Sequence, residues 1–132
     1  MTNKGVLIDT SAWVLFLRGD EAIEEHLTDL IREERAYTNE LILLELLRGA
    51  RSKKEHRMLH DDFNALPFAA LDDRVWRQAY GLAFSLRQSG INVPIVDTLI
   101  ASIASANNLA LLHRGRHYAL IGTKLKLDLI DV

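Results

Sequence analysis

The chain has 132 residues, 48% of them hydrophobic and 26% charged, with 2 Pro, 7 Gly and a formal net charge of −2. That length suits one domain, 1–132, with a core of its own, and that composition excludes disordered, collagen-like and low-complexity chains. There is no cysteine, which excludes a disulfide framework, a thiolate metal site and a thiol nucleophile. Charge is spread unevenly: residues 1–45 hold ten acids against four Lys/Arg, and residues 46–132 hold eight against twelve, which permits a local basic face. No apolar run approaches the ~18 residues of a bilayer span, and Asp9 interrupts the first apolar run, Val6-Leu7-Ile8, so no secretory leader is expected. The reading is a soluble, cytoplasmic protein with no membrane partner.

In chain order, Gly5-Val6-Leu7-Ile8 is a short continuous apolar run, the pattern of a buried strand. Ser11 is placed to cap a short helix carrying Trp13, Val14, Phe16 and Leu17, with Gly19 as its stop. From Asp20, Ile23, Leu27, Leu30 and Ile31 recur with helical spacing while Glu21, Glu24, Glu25 and Glu33 take the other face. Ala36-Tyr37-Thr38 is a candidate strand, and Asn39 can cap a helix through Leu41–Leu47 to Gly49. Leu59, Phe63 and Leu66 mark a further helix that Pro67 ends, and Phe68-Ala69-Ala70-Leu71 is expected to be a strand. Asp72 caps a long helix bearing Val75, Trp76, Ala79, Tyr80, Ala83, Phe84 and Leu86, closed by Gly90. A helix over about 96–107 follows Pro94, then a buried strand at Leu109–Leu112. Leu125, Leu127 and Leu129 alternate with Lys126 and Asp128, as in a half-covered edge strand. Strands alternating with helices imply a three-layer α/β/α domain with a mostly parallel central sheet.

Three acids stand among apolar neighbours. Asp9 ends the first strand, the edge at which open parallel sheets bind ligands. Glu45 interrupts Leu41-Ile42-Leu43-Leu44 and Leu46-Leu47, and Asp97 opens the apolar helix after Pro94. Each has a purely structural explanation: Asp97 as a helix cap, Asp9 bonding the amides of Ser11 or Ala12, Glu45 pairing with Arg48 at i+3. A buried carboxylate otherwise needs a partner, a proton or a cation, and three converging without a buried base would bind a divalent ion. Hard oxygen ligands favour Mg²⁺ or Mn²⁺ over zinc. Thr10, Ser11 and Thr98 lie beside these acids, where they would hold water or a phosphate oxygen.

Val-Leu-Ile-Asp-Thr-Ser at 6–11, Leu-Leu-Glu-Leu-Leu-Arg-Gly at 43–49 and Val-Asp-Thr-Leu-Ile-Ala-Ser-Ile-Ala at 96–104 resemble the acidic motifs of PIN-domain nucleases, and most of all those of VapC-type toxins of bacterial toxin–antitoxin pairs. The resemblance runs along essentially the whole chain. It implies a PIN-like α/β fold and a metal-dependent endoribonuclease in which Asp9 and Asp97 are the main Mg²⁺ or Mn²⁺ ligands. Glu45 would complete the site or orient the attacking water, and in-line attack on phosphorus would leave a 5′-phosphate and a 3′-hydroxyl. It also implies an antitoxin whose C-terminal segment lies in a groove lined by Leu15, Phe16 and the helix at 41–47, and a homodimer. The family's fourth acidic motif corresponds to Leu111-Leu112-His113-Arg114-Gly115-Arg116-His117-Tyr118. Gly115 stands where the acid is expected, so the resemblance also implies a weakened site or the loss of a second metal, which a Gly115→Asp substitution should strongly reverse.

Two basic clusters are candidates for holding RNA phosphates: Arg48, Arg51, Lys53, Lys54 and Arg57, and the set of His113, Arg114, Arg116, His117, Lys124 and Lys126 around Gly115. Arg114, Arg116 and His117 are the substrate-binding candidates, His117 as a phosphate or structural contact rather than a metal ligand. Trp13, Trp76 and Phe84 have core spacing, so no base stacking is assigned to them. Three functions compete. The first is a metal-dependent RNase toxin, favoured by the three acids. The second is a catalytically weakened PIN domain acting mainly by antitoxin binding in complex formation and autoregulation, favoured by Gly115. The third, a phospho-acceptor domain modified on Asp9, is disfavoured because Thr10-Ser11 supplies no second acid.

Overall fold

The computed structural model describes residues 4–132. Strand β1 (Val6–Ile8) is wholly buried, and helix α1 (Thr10–Leu17) follows at once. Asp9 caps α1, accepting from the Ser11 amide; Ser11, the expected cap, sits inside the first turn. Helix α2 (Glu21–Arg32) starts at the Asp20 cap and buries Ile23, Leu27 and Leu30, leaving its glutamates in solvent. Strand β2 (Ala36–Tyr37) leads through buried Thr38 and Asn39 into α3 (Glu40–Arg48). Asn39 Oδ1 accepts from the amides of Leu41 at 2.9 Å and Ile42 at 3.1 Å, as its position before an apolar helical run requires.

Helix α4 (Lys53–Asn64) is capped by Ser52. The segment expected as a strand at 68–71 makes only one parallel bridge, Phe68 to Thr38, because Pro67 lacks an amide hydrogen to extend a ladder and the chain turns at Asp72 into α5 (Asp73–Gln88). Helix α6 (Ile95–Ala106) follows Pro94, then β3 (Ala110–His113), the short α7 (His117–Ile121) and β4 (Leu129–Asp131). The final strand thus begins four residues later than the Leu125–Leu129 alternation suggests; Leu125 and Leu127 pack against the core from an irregular segment.

The sheet has the order β2-β1-β3-β4, with every pairing parallel, and helices flank it as expected. The strand order reverses between β1 and β3, since β1 connects outward to β2 on one side and β3 to β4 on the other. Such a reversal opens a crevice at the carboxyl ends of the two central strands. Asp9 leaves β1 there and Arg114 leaves β3 there, held in register by the Asp9 amide donating to Leu112 O at 2.9 Å. Among the described residues no helix is long and apolar enough to cross a membrane.

The long helix α5 carries two apolar stripes. Val75, Ala79, Leu82 and Leu86 are buried, largely against α6, whose Ala and Ser residues permit close approach. The second stripe departs from the core assignment made for Trp76 and Phe84. Trp76, Tyr80 and Phe84 are 41%, 68% and 66% exposed. Both stripes have helical spacing; only one can face the sheet. Trp13 is in the core as expected, edge-on to Phe16 and Phe63.

Asn39→Ala removes two hydrogen bonds from the start of the helix that carries Glu45. It should lower stability by about 1 kcal/mol, within the range for lost caps, read as a shift in the urea midpoint at unchanged slope.

Candidate active site

Asp9 is only 6% exposed, so its charge must be solvated by the protein. Its Oδ2 accepts from the Ser11 amide at 3.1 Å and from Ser11 Oγ. Its Oδ1 accepts from the Tyr118 hydroxyl at 2.7 Å. An ionised carboxylate offers about four acceptor positions; three are filled, and the one left is on Oδ1. Ser11 Oγ in turn accepts from the Arg114 amide at 3.0 Å, which ties the loop after β3 to the end of β1.

Asp97 is the third residue of α6, in its first turn, with Pro94 rather than Asp97 at the cap position. Its Oδ2 lies 2.9 Å from His117 Nδ1; a carboxylate only accepts, so Nδ1 donates. Burial pushes the Asp97 carboxyl above the usual carboxylate range, opposed by the His117 hydrogen bond and reinforced by the nearby Asp9 charge. Glu45 does not pair with Arg48: Thr10 Oγ1 donates to Glu45 Oε1 at 2.7 Å. The position of Tyr118 links the three. Its hydroxyl is driven far above its ordinary pKa, first by burial, then by the charges of Asp9 and Asp97, with Glu45 adding to them. Tyr118 is the residue that sequence reasoning passed over. Its one legible signal is a phenolic hydroxyl at the end of the stretch that corresponds to the fourth acidic motif.

Asp9, Ser11, Asp97, Arg116, His117 and Tyr118 share a cleft of about 490 Å³. Arg114 and Gly115 also border it, both exposed. Glu45 and Thr10, bonded to each other, do not border this cleft, and neither does Thr98: its hydroxyl donates back to Pro94 O at 3.4 Å, and it borders a different cavity beside Phe84. His113, grouped with the surface bases in the sequence, is 2% exposed and packs against the Tyr118 ring at 5.0 Å between centroids. Lys124 and Lys126 are exposed and do not border the cleft.

Among the described residues none of the three carboxylates pairs with a Lys or Arg. The donor set, hard carboxylate oxygens with uncompensated negative charge, is chemically suited to Mg²⁺ or Mn²⁺. As the side chains stand, no three His, Asp or Glu among the described residues are arranged to ligate one ion, although the hydrogen bonds from His117 and Thr10 engage only Oδ2 of Asp97 and Oε1 of Glu45.

Gly115 has φ +134°, and a Cβ there would meet nothing within 4 Å. The space is open, but the backbone lies where L side chains are strained. The expectation that Gly115→Asp simply restores an acid is therefore revised: the loop is built around glycine, and that conformation accompanies the placement of His117 on Asp97 and Tyr118 on Asp9. Gly115→Asp should cost on the order of 1–3 kcal/mol, seen as a lowered melting temperature.

The domain family described as "PIN domain" matches residues 6–124. Two relatives, VapC ribonuclease Mb1587 of Mycobacterium bovis (strain ATCC BAA-935 / AF2122/97) and ribonuclease VapC11 of Mycobacterium tuberculosis (strain ATCC 25618 / H37Rv), are each 35% identical over 121 residues, spanning 88% of this chain and 90% of theirs. In fold the chain is similar to a protein in the crystal structure of VapBC2 from Rickettsia felis bound to a DNA fragment from their promoter, at 20% identity and a TM-score of 0.81, over 96% of this chain and 98% of that one.

Proposed function

The chain belongs to the PIN-domain family, among its VapC-type ribonucleases, and from that premise we propose that it is the endoribonuclease toxin of a toxin–antitoxin pair, acting in the cytoplasm as one domain and cleaving RNA phosphodiester bonds with the help of Mg²⁺ or Mn²⁺. The observation that carries this reading is that Asp9 and Asp97 share one cleft with Tyr118, that Glu45 is bonded to Thr10 next to Asp9, and that among the described residues none of the three acids pairs with a Lys or Arg.

A bound Mg²⁺ or Mn²⁺ supplies charge stabilisation at phosphorus and a water acidic enough to attack it. The chain's own part is positional. Asp9 offers its single open Oδ1 acceptor position, aimed by Tyr118 and Ser11. Asp97 offers the oxygen that His117 does not hold. Glu45, half-buried and bonded by Thr10, stands to orient the attacking water or accept its proton. Arg114 and Arg116, exposed at the mouth of the cleft, are suited to the phosphates flanking the scissile bond, and His117 to a phosphate contact once it leaves Asp97.

Gly115 favours a second reading: with one acid of the family pattern absent, a PIN domain of reduced catalytic power would serve chiefly as an antitoxin-binding partner in complex formation and autoregulation. A groove for an antitoxin segment is available in either case. It measures about 740 Å³ and is walled by Trp13, Phe16, Ile31, Leu59, Phe63 and Leu66, a set suited to an apolar helix face. Phe16 lines it as the sequence suggests; Leu15 and the helix at 41–47 do not.

The homodimer is proposed to form through the Trp76–Tyr80–Phe84 stripe, since a contiguous aromatic face on a soluble chain marks an interface and one helix can pair with its own copy about a two-fold axis.

The metal reading is tested by calorimetric titration of Mn²⁺. Tyr118→Phe should lower affinity by roughly 10–100-fold, the usual effect of removing an outer hydrogen-bond partner, and Asp97→Asn by more, with EDTA abolishing RNA cleavage. Unchanged affinity in both variants would remove the metal site from these residues. The dimer is tested by Tyr80→Glu/Phe84→Glu, which should elute as a monomer in size-exclusion chromatography with light scattering where the parent chain elutes as a dimer.

A further inference from the structure

The corner between α3 and α4 gathers Arg48, Arg51, Lys53, Lys54 and Arg57, all exposed. Among the described residues none of the five forms an ion pair. The one acid between them, Glu55, bonds backbone rather than any of the five side chains: its amide donates to Ser52 Oγ at 3.0 Å and its Oε1 accepts from the Arg51 amide at 3.4 Å. Glu55's single charge is outnumbered by the five cations, and the corner stays net positive.

Three of them border a cleft of about 660 Å³. Arg51, Lys53 and Arg57 form its charged wall, with His56 and His60 beside them, while Leu47 and Ala50 form its floor. Lys53 and Arg57 are four residues apart and so lie on one face of α4. The same corner is joined to Glu45 through α3. Arg48 follows Glu45 by three residues, about 4.5 Å along the axis of α3, on the side Glu45 itself occupies. A ligand held here is polyanionic, and its path leads along α3 towards the carboxylates.

We propose that Arg48, Arg51, Lys53 and Arg57 form an exosite that holds the phosphate backbone of the RNA substrate and delivers the strand to Asp9, Glu45 and Asp97; the proposal rests on the nuclease reading above. Exposed point charges without a base-sized aromatic platform grip phosphates rather than read bases, so the exosite adds affinity and direction without sequence preference. It also separates binding from chemistry, with cations on one helix corner and acids at the strand ends, so that substrate approaches a negatively charged centre against less repulsion.

The test measures anisotropy of a fluorescein-labelled single-stranded RNA of mixed sequence, in EDTA, across a salt series. Arg51→Ala/Arg57→Ala should bind more weakly, with a plot of log affinity against log salt shallower by about 1.4, from ~0.7 for each phosphate of a single strand that is no longer neutralised. Arg51→Lys/Arg57→Lys should keep the parent slope, since a point charge suffices. Matching thermal melts of the variants exclude a folding defect. An unchanged slope in the alanine variant overturns the exosite. An unchanged slope together with lost binding of poly-glutamate overturns it in favour of an acidic polypeptide partner. Mn²⁺-dependent cleavage of the same RNA is scored in parallel against Asp97→Asn. Cleavage with an unchanged slope removes the exosite alone, whereas no cleavage with a reduced slope supports the phosphate contacts and removes the nuclease reading.

Discussion

A carboxylate nearly sealed from water at the end of a central strand dictates much of what surrounds it. Asp9 cannot be solvated by bulk water, and no lysine or arginine reaches it among the described residues. Its charge is carried instead by one amide and two hydroxyls, from Ser11 and Tyr118. Those donors come from both sides of the crevice between β1 and β3. The hydrogen bonds that satisfy Asp9 are therefore also the ties that hold the loop after β3 and the start of α7 against the sheet. Charge-assisted bonds of this kind are roughly twice as strong as neutral ones, which suits a structural tie that must also leave one acceptor position open.

The same economy runs through the rest of the site. Asp97 is held by His117 and Glu45 by Thr10, so among the described residues neither acid is paired with a Lys or Arg. Burial first of all raises the Asp97 carboxyl and the Tyr118 hydroxyl, and the neighbouring carboxylate charges add to it. The glycine at 115 belongs to this arrangement. It replaces a side chain with a backbone conformation, and the loop so formed presents two arginines at the mouth of the cleft and two aromatic rings to its interior.

Beyond the cleft, charge and apolar surface are segregated. Unpaired cations gather at the α3–α4 corner, an apolar groove lies between α1, α2 and α4, and the aromatic stripe of α5 is exposed.

The helices before β3, the caps at Asn39 and Asp72, the buried strands read at 5–8 and 109–112 and the three isolated acids were legible in the sequence, because each depends on neighbours within a few positions: a cap bonds an amide two or three residues on, and a stripe repeats every turn. The parallel α/β architecture followed from the alternation of those elements, and the family from the order of the acidic motifs. Only the folded chain decided who partners whom. Tyr118 meets Asp9 across 109 positions, Thr10 meets Glu45 across 35 and His117 meets Asp97 across 20, and no local pattern encodes such separations. The failed strand at 68–71 and the exposed stripe of α5 have the same origin. A short apolar run becomes a strand only if a neighbour accepts its hydrogen bonds, and a helix with two apolar faces buries whichever one the sheet and α6 leave room for.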